Sequence, residues 1–599
     1  MSARGIVEEV FGRPMTREIW SANYDKALPF VMLGVELSAV LPAVFYMFRY
    51  GQRRGRGKFL DAFGGPLGSP AQRRRQATAS HIAGVLAQKE EWFAGFEGET
   101  ERAVLADLLL AFCVENKNRA LGRDEPIQRV FPTHYLSNWI DLPDTVAHLR
   151  GVPETIVAML VKQEEGDFLL PTPKEARTWF PLGRGIEGNI LLEPFATGVR
   201  IQGNLADRGS DKFDEQAKVS VDQLLTIRLA QALGQAPDHN RSEGGPGIPN
   251  QLPIAERSAH HFSEDIRRFV RAYAGEIPRH AFVEMLEACM AVGLFTVLCA
   301  VMEVMFAWVE TGTVPEKDQQ LPAELFVDAS GGLDADLRSV AEASFADWMR
   351  RTERFHTALM AARLLDYLVR HDRELRRVSP NSRPSARPWL DRLGAVLHLR
   401  LPEAEPLHRD LERKAIELRE RLETEHPEAA MMLEDERNEP NVVLRLAKSL
   451  TLLLGPSNTR SKLTELADAI LLTNRVNRLG AKRDVYRKEA TMGKAVREIA
   501  RSIVFSDAVL DYLVHLHALP ARQASVHRPL SFKEFLDILR DRYGLCVHAA
   551  PAGLPVSHAL LQRNQAILEA RLRNLGLLLG VNDAESMKRL RPRFPIAER

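Results

Sequence analysis

Cysteine is scarce: four residues in 599, Cys113, Cys289, Cys299 and Cys546, lie far apart. With no CxxC or CxxH spacing they exclude a disulfide framework and a sulfur-ligated zinc site, and a reducing cytoplasm is the setting they fit. Excess charge of one sign is also missing. Lys and Arg number 80 against 79 Asp and Glu, a formal net charge of +1, so attraction to a polyanion has to come from local clusters. A phosphate-binding loop is absent: in "GQRRGRGKF", Gly51 stands six places before Gly57 rather than five, and Phe59 occupies the position of the magnesium-binding Ser or Thr. No period of about 20–50 residues repeats, which excludes a solenoid, and no cleavable signal pattern opens the chain.

What is present is ordinary globular material, 45% hydrophobic and 27% charged with 34 Pro and 38 Gly. At about 150 residues per domain the length implies several units. Ala27–Phe48, "ALPFVMLGVELSAVLPAVFYMF", resembles a membrane span with positive flanks, but Glu36 near its centre and Pro29 and Pro42 favour two buried helices. "ACMAVGLFTVLCAVM", Ala288–Met302, is bounded by Glu287 and Glu303, too short a run to cross a bilayer of roughly 30 Å, and reads as a helix apolar on all sides inside a bundle.

The periodicity predicts a mainly α, multidomain helical protein with a small β-hairpin region and a winged-helix-like C-terminal module. Four units are expected: 1–235, with a hairpin at 189–204 turning at Gly198; 254–378, around the buried apolar helix; 389–525, with an amphipathic helix in "LHRDLERKAIELRERLETEH", Leu407–His426, whose narrow leucine stripe covers a bundle edge or pairs with a partner helix; and 526–599. The boundaries fall in the Gly/Pro-rich loop Gly234–Pro253 and in "RRVSPNSRPSARPWL", Arg376–Leu390. Within these units, Asp144–Gly166 reads as two short helices separated at Gly151 with Pro153 opening the second, and Leu325–Asp334 as a strand leaving through a Gly-Gly turn, followed by a helix over Asp334–Arg354.

Candidates for chemistry are few. "VDASGG", Val327–Gly332, offers Asp328 and Ser330, an Asx-type turn rather than a cation site, because one carboxylate and one hydroxyl fall short of the roughly six oxygens such an ion needs. His260 and His261 adjoin on a helix and point about 100° apart; His515 and His517 lie in a segment of helical spacing. The nearest approach to a nuclease is Asp211, Asp214, Glu215 and Lys218 in "DKFDEQAK", which reads first as a solvated acidic loop. Cations are more informative. Arg49, Arg53, Arg54, Arg56 and Lys58 form one run, and Arg73, Arg74 and Arg75 follow after "GGPLGSP", so phosphates could be met through Arg53, Arg54, Arg56, Lys58, Arg73, Arg74 and Arg75. A solvated loop or an acidic protein partner is the alternative.

At the other end, "LSFKEFLDILRDRYG" spans a helix from Ser531 to Gly544. A short extended link follows, then "SHALLQRNQAILEARLRNLGLLL" with a leucine face, then an apolar strand broken by "NDAE". That order resembles a winged helix, whose second helix would present Arg563, Asn564, Arg571 and Arg573 and whose wing would present Lys588, Arg589, Arg591 and Arg593. Because the leucines are better developed than the cations, Leu568, Leu572, Leu575 and Leu579 are expected to meet a protein partner.

The segments "SNWIDLPDTVAHLRGVPE", "SDKFDEQAKVSVDQLLTIRLAQ", "IPRHAFVEMLEACMAVGL" and "GVNDAESMKRLRPRF" resemble those of a large helical protein from bacterial anti-phage islands, the seventh component of the methylation-associated defence system, over most of the chain. The resemblance implies a subunit working beside a methyltransferase, an ATPase and other defence proteins, and it carries over no active site. The expectation is therefore a non-catalytic scaffold or adaptor without metal or cofactor, cytoplasmic, with DNA contact through the basic clusters and no membrane. The alternatives are a divergent metal-dependent nuclease on Asp211, Asp214, Glu215 and Lys218, and a membrane-attached sensor using Ala27–Phe48.

Overall fold

The computed structural model describes residues 2–54, 77–116, 119–140, 149–161, 167–170, 178–205, 207–233, 247–378, 386–471, 479–488, 495–519, 529–580 and 588–597. They group into two units, each assembled from separated stretches: unit 1 from Met1–Val35, Gln251–Asp265 and Ala288–Arg593, and unit 2 from Glu36–Asn250, Ile266–Glu287 and Phe594–Arg599.

Unit 2 holds the helix Val40–Tyr50, ten of whose eleven residues are buried. Pro42 sits in its first turn, where a missing N–H costs nothing. The preceding residues 27–36 are not helical, so the expected pair of helices is one, and Glu36 accepts a hydrogen bond from Ser38 Oγ at 2.7 Å. The helix Val152–Val161 carries Pro153 near its start as expected; the first helix expected from Asp144 lies mostly outside the described residues. The hairpin is displaced from its predicted place. Strand Val199–Ile201 pairs antiparallel with Asp211–Phe213, while Glu193–Phe195 forms a single 3-10 turn. Gly198, at φ 78°, begins the first strand rather than the turn, and a Cβ there would lie 2.7 Å from the Phe213 ring.

In unit 1 the strand Leu325–Asp328 is fully buried and leaves through Gly331 and Gly332, both at positive φ. Asp328 closes that turn: its Oδ1 accepts from Ser330 N and Oγ at 2.8 and 2.6 Å, and its Oδ2 from Gly332 N at 2.8 Å. The Asx reading is what the structure contains. The following helix, Ala335–His371, has 37 residues and runs well past Arg354, with Asp334 as its cap. The amphipathic helix Glu405–Leu422 buries Leu407, Leu411, Ala415, Leu418 and Leu422 within the chain, so its stripe covers a bundle edge.

One further helix, Arg279–Thr311, extends through both Glu287 and Glu303 to 33 residues. It is long and apolar enough to cross a membrane by length and composition, and 94% of its most apolar window is buried inside the protein.

Unit 1 also contains a four-stranded sheet ordered Leu545–Cys546, Leu325–Asp328, Ala495–Val504, Gly480–Lys488. The first two pairings are parallel and the last is antiparallel. This sheet alters the expected C-terminal module. Its elements occur in the predicted order: a helix Phe532–Tyr543 opened by a Ser531/Glu534 capping box and closed by Gly544, a helix His558–Asn574, and a strand pair Leu578–Leu579 with Arg589–Leu590. But Leu545–Cys546 lies beside Leu325 and Phe326, so the module is built into a sheet with strands from elsewhere rather than standing alone.

Candidate functional site

Of the predicted phosphate-binding residues, Arg53 and Arg54 are described and both have internal partners. Arg53 Nε donates to Glu154 Oε1 at 2.8 Å with its side chain 40% exposed, and Arg54 Nη2 donates to the Asn138 carbonyl at 3.1 Å. Arg56, Lys58, Arg73, Arg74 and Arg75 lie outside the described residues. Arg49, from the same run, belongs to the core of unit 2, where the helix Val40–Tyr50 delivers it with no exposure.

Arg49 meets Asp211 across 162 residues of sequence, its Nε donating to Oδ1 at 3.0 Å and its Nη2 to Ser210 Oγ at 3.0 Å. The Tyr50 and Tyr135 hydroxyls each donate to Asp211 Oδ2 at 2.8 Å. Burial, and then the Asp211 charge, push both phenols well above their ordinary range. Burial opposes the Arg49 charge, but Asp211 more than restores it. A carboxylate so enclosed by donors stabilises the fold and has no lone pair directed at solvent. Asp214 pairs instead with Arg200 at 2.8 Å and Glu215 with Arg228 at 2.7 Å, so the four residues of the nuclease alternative do not converge. Among the described residues no group of three or more His, Cys, Asp or Glu is placed to hold a metal ion.

The cysteines and several of the histidines are similarly enclosed. All four cysteines are buried, and burial pushes the thiols of Cys113 and Cys546 up to about 12 and those of Cys289 and Cys299 up as well. Burial holds His134 down to about 3 and His356 and His515 to about 4. His517 is joined to a buried network of unit 1, with Nε2 2.9 Å from the Tyr543 hydroxyl, which donates to Asp265 Oδ2 at 2.8 Å, while Arg542 forms an ion pair with the same carboxylate.

On the C-terminal helix, Leu568 and Leu572 are fully buried and Leu575, at its cap, is partly buried, whereas Leu579, expected on the same face, lies in the strand Leu578–Leu579 and is 47% exposed. Asn564 lies on the same buried face, while Arg563 and Arg573 are exposed. Asn564 Nδ2 donates to the carbonyls of Val327 and Val547 at 2.8 and 3.0 Å, and its Oδ1 accepts from Ala329 N at 2.9 Å. Arg563 pairs with Asp336 at 2.7 Å, Arg571 with Asp507 at 2.6 Å, and Arg573 with Glu569 at 2.6 Å. In the wing, Lys588 pairs with Glu569 at 2.8 Å and Arg593 with Asp511.

One concavity of unit 1 was not legible in the sequence. It is a cleft of about 890 Å³ in unit 1, between the helix Arg279–Thr311, the helix Ala335–His371 and the loop Pro551–Pro555. Its charges are balanced and paired: Arg351 with Glu303 at 2.6 Å, Arg350 with Asp347 at 2.8 Å, Arg540 with Asp541 at 2.8 Å. Burial pushes the Glu303 carboxyl upward against the pull of Arg351. Trp348, 2% exposed, borders the cleft with an indole N–H that has no acceptor other than the neighbouring Cys299 thiol. The size suits a ligand or a chain segment. The walls offer charge pairs and an indole.

Comparisons with curated proteins and with solved structures return no match for the chain. A family model does match it, over residues 64–594, and its description is methylation-associated defense system protein MAD7. That span takes in nearly all of both units, and it agrees with the resemblance seen in the four quoted segments: the chain belongs to the family of methylation-associated defense system protein MAD7, and is a component of such a system.

Proposed function

We propose that the protein is a non-catalytic scaffold or adaptor that joins other components of the defence system, a methyltransferase and an ATPase among them, in the cytoplasm, and contacts DNA through the basic clusters at Arg53–Lys58 and Arg73–Arg75. One observation carries the first part. The residues that carry chemistry elsewhere are here structural: Asp211 closes on Arg49, Tyr50 and Tyr135, and the cysteines and His134, His356 and His515 are buried and held neutral. The DNA contact rests on charge density in sequence, since eight cations lie between Arg49 and Arg75, of which Arg49 is committed to the core. Of the four predicted leucines, Leu579, exposed at 47%, is the best placed for a protein contact.

The test has two arms on the purified chain. Incubation with duplex DNA and magnesium or manganese, and separately with ATP, should give no turnover; metal-dependent cleavage lost in Asp214→Ala would reverse the non-catalytic reading. Replacing Arg53, Arg54 and Arg56 by Ala should weaken binding to duplexes of any sequence and flatten the salt dependence by up to about 0.9 per lost contact; an unchanged slope would remove this run from the DNA surface.

A further inference from the structure

The antiparallel pair Gly480–Lys488 and Ala495–Val504 is far longer than the sheet it joins. Nine residue pairs run from Gly480↔Ile503 to Lys488↔Ala495, yet only Ile503 and Val504 pair with the next strand, Leu325–Asp328. The rest is a two-stranded ribbon. Near its base it is tied down by Arg483, which reaches Glu342 of the long helix through Nε at 3.0 Å and Nη2 at 2.8 Å. Beyond that tie Asp484, Tyr486, Arg497, Glu498 and Ile499 are all exposed. A two-stranded ribbon in water is marginally stable by itself, and exposed strand edges invite aggregation. Tyr486 at 67% exposure and Ile499 at 41% are not covered by any described part of the chain.

The segment is also locally basic. From Arg475 to Arg501 there are nine Lys or Arg against three Asp or Glu, in a chain whose net charge is +1. Strand alternation sorts them. Tyr486 stands directly opposite Arg497, Asp484 opposite Ile499, and Lys482 opposite Arg501, so these six residues share one face. Arg497, 62% exposed, spans Asp484 through two bonds of 3.1 Å, a solvent-screened pair of the kind that gives way readily to a phosphate. Lys482 and Arg501 share the largely shielded Asp468 at the base of the ribbon.

We propose that the exposed face of this ribbon, with Arg497 and Tyr486 at its centre, is a duplex-DNA contact surface. The major groove, about 12 Å wide, admits a two-stranded β-ribbon, and the part beyond the Arg483 tie, Asp484–Lys488, is about 17 Å long at about 3.3 Å per residue, close to half a helical turn of B-form duplex. The positive, aromatic-bearing face matches a polyanion rather than a mixed-charge protein surface. This surface lies in unit 1 and is independent of the basic run Arg53–Arg75.

The experiment is binding of the full-length chain to a fluorescent 20-base-pair duplex, titrated over a range of salt. Removing one phosphate contact lowers the slope of log affinity against log salt by about 0.9, which corresponds to about fivefold weaker binding near 0.15 M salt. Arg497→Ala should show both changes, and Tyr486→Ala/Arg497→Ala a larger loss at the same slope as Arg497→Ala. Arg497→Lys, which retains the charge, should keep the wild-type slope. Both changed residues are exposed, and unaltered circular dichroism of each variant establishes that the chain still folds. Unchanged affinity and slope in Arg497→Ala overturn the proposal. So does a variant that binds DNA normally but no longer co-purifies with the other defence components, because the ribbon would then be a protein-docking surface. The Arg53, Arg54, Arg56 triple variant, measured in parallel, separates the two readings: loss there alone leaves the earlier DNA surface standing without the ribbon, and loss in Arg497→Ala alone does the reverse.

Discussion

Replacing Asp211 by Asn removes one charge and almost no volume from the core of unit 2. Arg49 and Asp211 have side-chain exposures of 0% and 1%, so the guanidinium left behind cannot recover hydration. Removing one partner of a buried pair costs about 3–5 kcal/mol. The Tyr50 and Tyr135 hydroxyls both donate to Asp211 Oδ2, and an amide NH2 turned toward them would set donor against donor. The loss should therefore fall in the upper part of that range. With an unfolding slope of about 1–3 kcal/mol per molar urea, the urea midpoint of the affected transition should fall by at least about 1 M. The double variant Arg49→Met/Asp211→Leu provides an internal control. Apolar replacement of both charges is often close to neutral, but two buried hydroxyls remain without an acceptor at about 1–3 kcal/mol each, so stability should recover in part and stay below wild type. A single variant as stable as wild type that had lost a metal-dependent nuclease activity would refute the structural assignment of Asp211.

Acid should destabilise the protein. The folded-state values of His134, His356 and His515 are depressed to about 3, 4 and 4, so the stability linked to their neutrality is fully present above the unfolded value of about 6.5 and is lost as pH falls below it. Each contributes up to about 1.4 kcal/mol per pH unit in that window, and unfolding free energies measured at pH 7, 6 and 5 should decline ever more steeply; a flat profile contradicts the burial of these imidazoles. Gly394→Ala should destabilise unit 1 by at least about 1–3 kcal/mol through overpacking, more than the roughly 1 kcal/mol that Ala gains in a helix, because its Cβ would fall 1.9 Å from the Gly312 carbonyl oxygen; a raised melting temperature would show that the two backbones can separate. Leu568→Ala should cost about 2–5 kcal/mol, since Leu568 is fully buried, whereas Leu579→Ser, at a 47% exposed position, should stay within about 0.5 kcal/mol of wild type; equal melting curves for the two would place the leucine face in solvent.

Local signals were legible wherever a short stretch decides its own structure. Pro153 opens its helix, Ser531 and Glu534 form a capping box with Gly544 closing the helix, and Asp328 folds its own turn. The leucine spacing of Glu405–Leu422 identified the buried stripe. Failures arose where the deciding partner is distant. Leu545–Cys546 is two residues long and becomes a strand only by lying beside Leu325 and Phe326, so the segment reads as a link and the helices around it as a freestanding module. Arg49 reads as one more cation in a basic run because Asp211 is 162 residues away. The helix Ala335–His371 is amphipathic at its start but buried around most of its circumference from Phe355 to Val369, which ends the periodic signal near Arg354 while the helix continues. In the ribbon, the charge excess from Arg475 to Arg501 was present in the sequence, but its strand alternation is hidden because long polar side chains occupy both faces.

The central claim, that this chain assembles other proteins and catalyses nothing itself, is tested most directly by measuring the mass in solution of the purified defence-system components, mixed with and without it, by size-exclusion chromatography with light scattering. The account predicts a heavier species that forms only when the chain is present, contains the methyltransferase or the ATPase, and persists in the Asp214→Ala and Glu215→Ala variants. Components that assemble to the same mass without the chain would contradict it.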